Sequence, residues 1–321
     1  MQIDAVITWV DSSDEVWRDK INQYLDKKID WNNKEDSTRY NSINEIDIAI
    51  VSILKFAAFI KNIYVVTDNQ RPNNFNDLKE KASLLGVTLK IIDHSVIFKG
   101  YEQYLPTFNS QSIETMLYRI PNLSEHFVYF NDDMFLINKT QKTDFFIDGF
   151  PVLRGQWIKF NENILYKRIF ASKNKKNKVS HRKAKETGAK IAGFKKSYDF
   201  HHTPYPMRVS TFETFFKNNE DVQKRNIECK FRHINQYVPQ GLVNHLEIKN
   251  KTVIQESKLA LCYIQSFNYL KIRNKILKAK IKGDKVLFMC LQSLETAPKS
   301  SLKYILKWVD KKLDSNFENE I

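Results

Sequence analysis

Phe127–Leu136, FVYFNDDMFL, is the stretch whose reading decides the fold. Four aromatic or apolar residues run into Asn131, Asp132 and Asp133, and Met134, Phe135 and Leu136 resume the apolar run. A short apolar run that ends in carboxylates predicts a buried strand whose C-terminal end opens into a site. Adjacent carboxylates between apolar flanks are costly to bury without a partner. A divalent cation is the natural one. Mg²⁺ takes one or two carboxylates and completes its shell with water and substrate phosphates. The competing reading is a plain turn after a strand, which Asn and Asp favour.

Toward the N-terminus the same pattern recurs. Ile3–Val10, IDAVITWV, reads as a strand rich in β-branched residues and stops at Asp11. Ile43, Ile46, Ile50, Ile53, Leu54 and Ala57 recur at helical spacing. Ile63–Thr67 is a second strand ending at Asp68, Asp77–Leu85 a short helix, and Val87–Ile92 a third strand ending at Asp93. Asn109-Ser110 caps a helix over Ile113–Ile120. Strand and helix in alternation predict an α/β fold with a mostly parallel sheet and flanking helices. Ligands of such sheets bind outside the carboxyl ends of the strands. Asp11, Asp68, Asp93 and Asp132 are therefore expected along one edge, with Asp93 the first to discard.

Beyond the NDD the pattern loosens. Residues 167–196 hold twelve Lys or Arg against one acid, Glu186. They read as a solvated loop or helix face, or as a surface for an anionic acceptor. Phe200–Met207, FHHTPYPM, places two prolines around an aromatic, a rigid turn able to fix His201 or His202. Residues 209–225 read as helical, and Pro239-Gln240-Gly241 as a turn. Residues 257–282 form a basic amphipathic stretch, either a surface helix or one that lies on an anionic membrane face. Val286–Leu291 is a late strand, and a helix follows from Ser300. The segments are then 1–150, an α/β core for nucleotide and metal; 151–255, its continuation; and 256–321, a helical C-terminal region.

Composition sets the outer bounds. The 321 residues are 42% hydrophobic and 13% aromatic, enough for a sizeable core, which excludes global disorder. With 8 glycines, the chain has no glycine-rich phosphate loop. The 51 basic residues against 37 acidic leave a net charge of +14, which favours anionic partners: nucleic acid, an anionic membrane or phosphate-bearing substrates. Cys229, Cys262 and Cys290 form no zinc or disulfide pattern, so a reducing compartment is expected. No signal-peptide pattern and no 18-residue uncharged apolar stretch is present, so the expected location is cytoplasmic, with peripheral association at the inner membrane face open.

Four blocks together resemble the Stealth family: Ile3–Trp17, Arg39–Pro72, Leu105–Leu136 and His201–Met207, with a weaker continuation around Phe231-Arg232. Stealth proteins are bacterial capsular polysaccharide phosphotransferases related to the eukaryotic N-acetylglucosamine-1-phosphotransferase of lysosomal enzymes. The resemblance implies a Rossmann-like or GT-A-like nucleotide-sugar core and a divalent metal, Mg²⁺ or Mn²⁺. It also implies transfer of a sugar 1-phosphate, an N-acetylhexosamine 1-phosphate, from a UDP-sugar to a hydroxyl of a growing polysaccharide. Carried over by position, the site holds Asp11, Arg39, Asn109, Asn131, Asp132, Asp133, His202 and Arg232.

Phosphoryl transfer needs positioning and charge neutralisation more than covalent chemistry. Asp132 and Asp133 suit the metal, and Arg39 and Arg232 suit phosphate oxygens. His202 suits the general base, titrating near the ordinary imidazole value. A carboxylate base at Asp132 or Asp133, His201 in place of His202, Asn109 as a mere helix cap and Arg39 paired with Glu45 stay open. Two other functions also stay open. One is a metal-dependent glycosyltransferase of similar build, which releases UDP rather than UMP. The other is a basic nucleic-acid binder, ranked last because no recognisable binding module is present.

Overall fold

Ile3–Thr8 (β1) is buried along nearly its whole length, as a mostly apolar run, broken by the buried Asp4, demands of a central parallel strand. The computed structural model describes residues 1–31, 45–164, 180–265 and 267–315. In it β1 pairs in parallel with Ile60–Thr67 (β2) on one side and His126–Asn131 (β4) on the other. Thr88–Asp93 (β3) extends the sheet beyond β2, and Tyr205–Arg208 (β9) closes the far edge antiparallel to β4, giving the order β3-β2-β1-β4-β9. Pro206 stands on that edge strand, where its missing N–H costs no central ladder bond. Thr8 lies opposite Asn131, so β1 and β4 end at the same level.

Asp132 and Asp133 form the turn out of β4. The next three residues, Met134–Leu136 (β5), belong to a different sheet. There β5 runs antiparallel to Phe288–Leu291 (β12), which pairs in parallel with Leu261–Ile264 (β11). The two carboxylates sit where the chain passes from one sheet to the other. A third sheet joins Phe146–Ile147 (β6), Phe150–Lys159 (β7) and Ile254–Glu256 (β10), with Lys196–Phe200 (β8) paired to β7. One contiguous hydrophobic cluster reaches from Ile3 to Leu313.

The C-terminal part corrects the sequence reading in three places. Residues 257–282 are not one helix: β11 occupies Leu261–Ile264, and the helix spans Tyr269–Lys282. The region after 256 is therefore mixed rather than helical. Pro239 opens a helix, Pro239–Asn250, instead of a turn, since a proline at the first helical position gives up an N–H that has no intrahelical partner anyway. Within the basic run, the described residues fold as the helix His181–Ile191, whose Gly188 packs against the backbone of Leu242: a Cβ there would stand 2.8 Å from the Leu242 nitrogen. Its Lys185 is buried, with Nζ 3.0 Å from Asp199 Oδ1 and 2.7 Å from the Phe200 carbonyl. Residues 167–179 of that run lie outside the described residues. Among the described residues no helix is long and apolar enough to cross a membrane.

Candidate active site

The ends of β1 and β4 open into a cleft of about 550 Å³ lined by Thr8, Trp9, Asn131, Asp132 and Asp133. The helix Ser110–Met116 contributes Gln111 and Glu114 to one wall, and the residues after β12 contribute Gln292, Ser293 and Glu295 to another. His181, His202 and Arg232 line the same cleft, with Trp17 and Phe108 among its aromatic side chains.

Among the described residues the acids are short of positive charge. Burial pushes the Asp132 carboxyl well above the usual range, and repulsion from Glu45 and Asp133 adds to it. Burial raises Asp133 to about 6, opposed by the Cys290 thiol and helped by Glu45. Its Oδ2 lies 3.4 Å from Cys290 Sγ, while Oδ1 is buried without a hydrogen-bond partner. Glu295 is pushed up to about 7, first by burial and then by Glu45 and Asp133. Among the described residues, no Lys or Arg pairs with Asp132, Asp133 or Glu295. An orphaned carboxylate oxygen beside uncompensated acids fits a divalent cation. No three acidic, histidine or cysteine side chains of the described residues converge closely enough to hold a metal by themselves. Asp132 and Asp133 would hold it with water and substrate phosphate, the mode Mg²⁺ favours.

Asn131 is oriented from below. The Tyr129 phenol donates to its Oδ1 at 2.7 Å, which leaves the NH₂ group as an available donor. The phenol also lies 3.1 Å from Glu114 Oε1 and 2.8 Å from Thr8 Oγ1. Burial raises Glu114 to about 7, against the opposing pull of Gln240, Arg232 and Tyr129.

His202 lies in an aromatic stack, its ring 5.2 Å from Tyr263 and 6.2 Å from His181. Burial, then Lys185 and His201, hold it down at about 4, and burial holds His181 at about 3. Both are neutral imidazoles near pH 7. The expectation of an ordinary imidazole value for His202 fails because the sequence does not show how deeply the ring is enclosed. His201 does not line the cleft; its backbone N–H donates to the Arg154 carbonyl. Arg232 reaches Ser110 Oγ at 3.2 Å.

Two expected site residues, Asn109 and Asp11, do not line the cleft. Asn109 is buried: its Oδ1 accepts the Gln111 N–H, and its Nδ2 donates to the Cys229 carbonyl and Gln236 Oε1, bracing the loop that carries Arg232. The Asp11 carboxylate accepts the Ser13 N–H, and its own N–H donates to Gln70. Arg39 lies outside the described residues. Of the four strand-end aspartates, Asp132 lines the cleft. Asp68 pairs with Lys20 at 2.7 Å, and Asp93 accepts the N–H groups of Asn69 and Ser95. Glu114, Glu295 and His181 do not stand out in the sequence as site residues. Glu295 has a signal, because it follows an apolar run much as the NDD does. His181 has none inside its run of lysines.

The family model for Stealth protein CR2, conserved region 2, matches residues 39–152, and the model for CR1, conserved region 1, matches residues 1–29. The chain belongs to the Stealth family. The matched Stealth regions contain Glu114, Asn131, Asp132 and Asp133, while His181, His202, Arg232 and Glu295 lie beyond them. The chain is 28% identical over 312 residues to the capsular polysaccharide phosphotransferase fcs1 of Haemophilus influenzae, covering 92% of this chain and 79% of that one. It is 41% identical over 146 residues to the capsular polysaccharide phosphotransferase LcbA of Neisseria meningitidis, covering 45% of this chain and only 38% of that one. Among solved structures, the bifunctional glycosyltransferase WbbM superposes with a TM-score of 0.50 at 13% identity, over 91% of this chain and 46% of that one. At that identity the likeness speaks to the fold alone, which is GT-A-like.

Proposed function

We propose that this chain is a metal-dependent phosphotransferase that moves a sugar 1-phosphate, an N-acetylhexosamine 1-phosphate, from a UDP-sugar to a hydroxyl of a capsular or surface polysaccharide. The observation that carries the reading is the meeting of the buried Asp132–Asp133 carboxylates, which no Lys or Arg of the described residues pairs, with His202 and Arg232 in one cleft. The names of the relatives support it.

In this reading the acceptor hydroxyl attacks the phosphorus that bears the sugar. A new P–O bond forms, the P–O bond to UMP breaks, and UMP leaves with the bonding pair. His202 takes the proton of the hydroxyl as a neutral imidazole, its ring held between Tyr263 and His181. Arg232 grips non-bridging phosphate oxygens in the geometry that guanidinium matches. The Asn131 NH₂ donates to the donor phosphate or sugar. A divalent metal on Asp132 and Asp133 would supply charge neutralisation for the pyrophosphate. Asn109 and Asp11 serve the site through the loops they brace, and the aromatic side chains Trp9, Trp17 and Phe108 shield it from water. Wild-type protein incubated with a panel of UDP-sugars, Mg²⁺ or Mn²⁺ and a glycan acceptor should release UMP and form a phosphodiester. Release of UDP would instead mean attack at the anomeric carbon, and the phosphotransferase reading would be abandoned.

A further inference from the structure

The helix Tyr269–Lys282, YLKIRNKILKAKIK, has two apolar faces. Ile272, Ile276 and Ala279 are buried against the core. Leu270, Leu277 and Ile281 point the other way and are 71%, 55% and 76% exposed. Spaced at i, i+7 and i+11, these three fall within about 40° of one another around the helix and span about 16 Å along it. Scattered exposed apolar residues need no explanation, but an aligned stripe does.

The charges around the stripe say what covers it. Lys271, Lys278 and Lys282 flank it on one side and Arg273 and Lys280 on the other, all exposed, and the fourteen residues contain no acid. Tyr269, 41% exposed, stands at the N-terminal end against Tyr304. An apolar stripe between rows of cations, with an aromatic at its end, is the pattern of a helix that lies in the interface of an anionic bilayer. A protein partner would have to supply both an apolar groove and rows of acids on its two rims, whereas an anionic bilayer presents acyl chains beneath charged headgroups everywhere.

We propose that this helix docks the protein on an anionic membrane surface, with Leu270, Leu277 and Ile281 inserted at the boundary between headgroups and acyl chains. The docked helix lies close to the cleft: Lys275 Nζ donates to the Tyr263 carbonyl at 2.6 Å, and the Tyr263 ring stacks on His202. Docking would hold the cleft at a fixed height above the bilayer. The inference stands on the surface of the helix and does not depend on the reaction proposed above.

Flotation of the full chain with lipid vesicles tests it. The protein should float with vesicles of phosphatidylcholine and phosphatidylglycerol in equal parts, and stay behind with phosphatidylcholine alone. The triple variant Leu270→Ser, Leu277→Ser, Ile281→Ser should lower partitioning about 100-fold or more. Replacing Lys271, Lys278 and Lys282 with Gln should lower it roughly 5-fold per charge removed. All six side chains are exposed, so both variants should keep the wild-type circular dichroism spectrum. Absence of flotation with the anionic vesicles overturns the proposal, as does flotation that neither variant weakens. If the serine variant abolishes a dimer seen by analytical ultracentrifugation while vesicle binding is unchanged, the stripe faces a second copy and the proposal falls.

Discussion

Asp133→Asn should make the metal-free protein more stable while removing its activity. Burial lifts the Asp133 carboxyl from 3.8 to about 6. That difference of about 2 units is worth about 3 kcal/mol at about 1.4 kcal/mol per unit. The folded-state value lies above the unfolded one, so the folded chain keeps its proton longer as pH rises. The penalty is absent below about pH 4, grows between about 4 and 6, and is complete above that. Asn does not titrate and avoids it, but its NH₂ in a partnerless position costs about 1 kcal/mol. The expected net gain is then about 1–3 kcal/mol near neutrality and none near pH 4. Urea unfolding in EDTA at about pH 7.5 and about pH 4 measures it; groups remote from Asp133 cancel in the difference between the two proteins, while Asp132 and Glu295 lose a repelling neighbour and add to the gain. Mg²⁺ or Mn²⁺ at about 100 times its dissociation constant should stabilise the wild type by about 3 kcal/mol and the variant far less. A variant no more stable than wild type near neutrality in EDTA would refute the burial argument. Equal stabilisation of both proteins by metal would remove Asp133 from the metal site.

Asp132→Asn should lower turnover by about 10²–10⁴-fold with the fold intact, checked by steady-state kinetics alongside circular dichroism. His202→Ala should cost about 10²–10⁴-fold in turnover with donor affinity nearly preserved, and a loss of only a few-fold would return the base role to a carboxylate. In wild-type protein the His202 ring should titrate near 4 by NMR, with the neutral form present at every pH above that. Lys185→Met should move that midpoint upward, because the lysine charge helps hold it down, and it should destabilise the fold by leaving Asp199 without its partner; an unmoved midpoint would place the cause in burial alone. Gly188→Ala should cost about 1–3 kcal/mol in urea unfolding, since the added Cβ meets the Leu242 backbone and neither helix has a flexible atom to yield.

The N-terminal half is legible because parallel strands buried on both faces read as continuous apolar runs, as FVYF in β4 and AVI in β1 do. The later strands are not. LCYI of β11 is short and precedes a basic helix, so its apolar residues merge into one helical pattern. In β7, FPVLRGQWIK opens buried and ends exposed, and no single period describes it. At the site, adjacency makes Asp132 and Asp133 visible, while His181 and Glu295 join them only through the tertiary fold. Four strand-end aspartates promise more than the cleft holds: a carboxylate after a strand also caps helices and closes turns, as Asp93 does, and sequence position does not separate that use from catalysis.

The passage of the chain from β4 into β5 has a consequence for biosynthesis. Asp133 meets Cys290 across 157 positions of sequence, and β5 finds its antiparallel neighbour only when β12 exists. A ribosome will have released the whole NDD turn, and the sheet beneath it, long before the strand that encloses it has been made. Until then nothing from β12 covers Asp133, whose Oδ2 faces Cys290 in the finished fold. The share of Asp133's burial that β12 supplies therefore arises only after that strand has been made, late in synthesis.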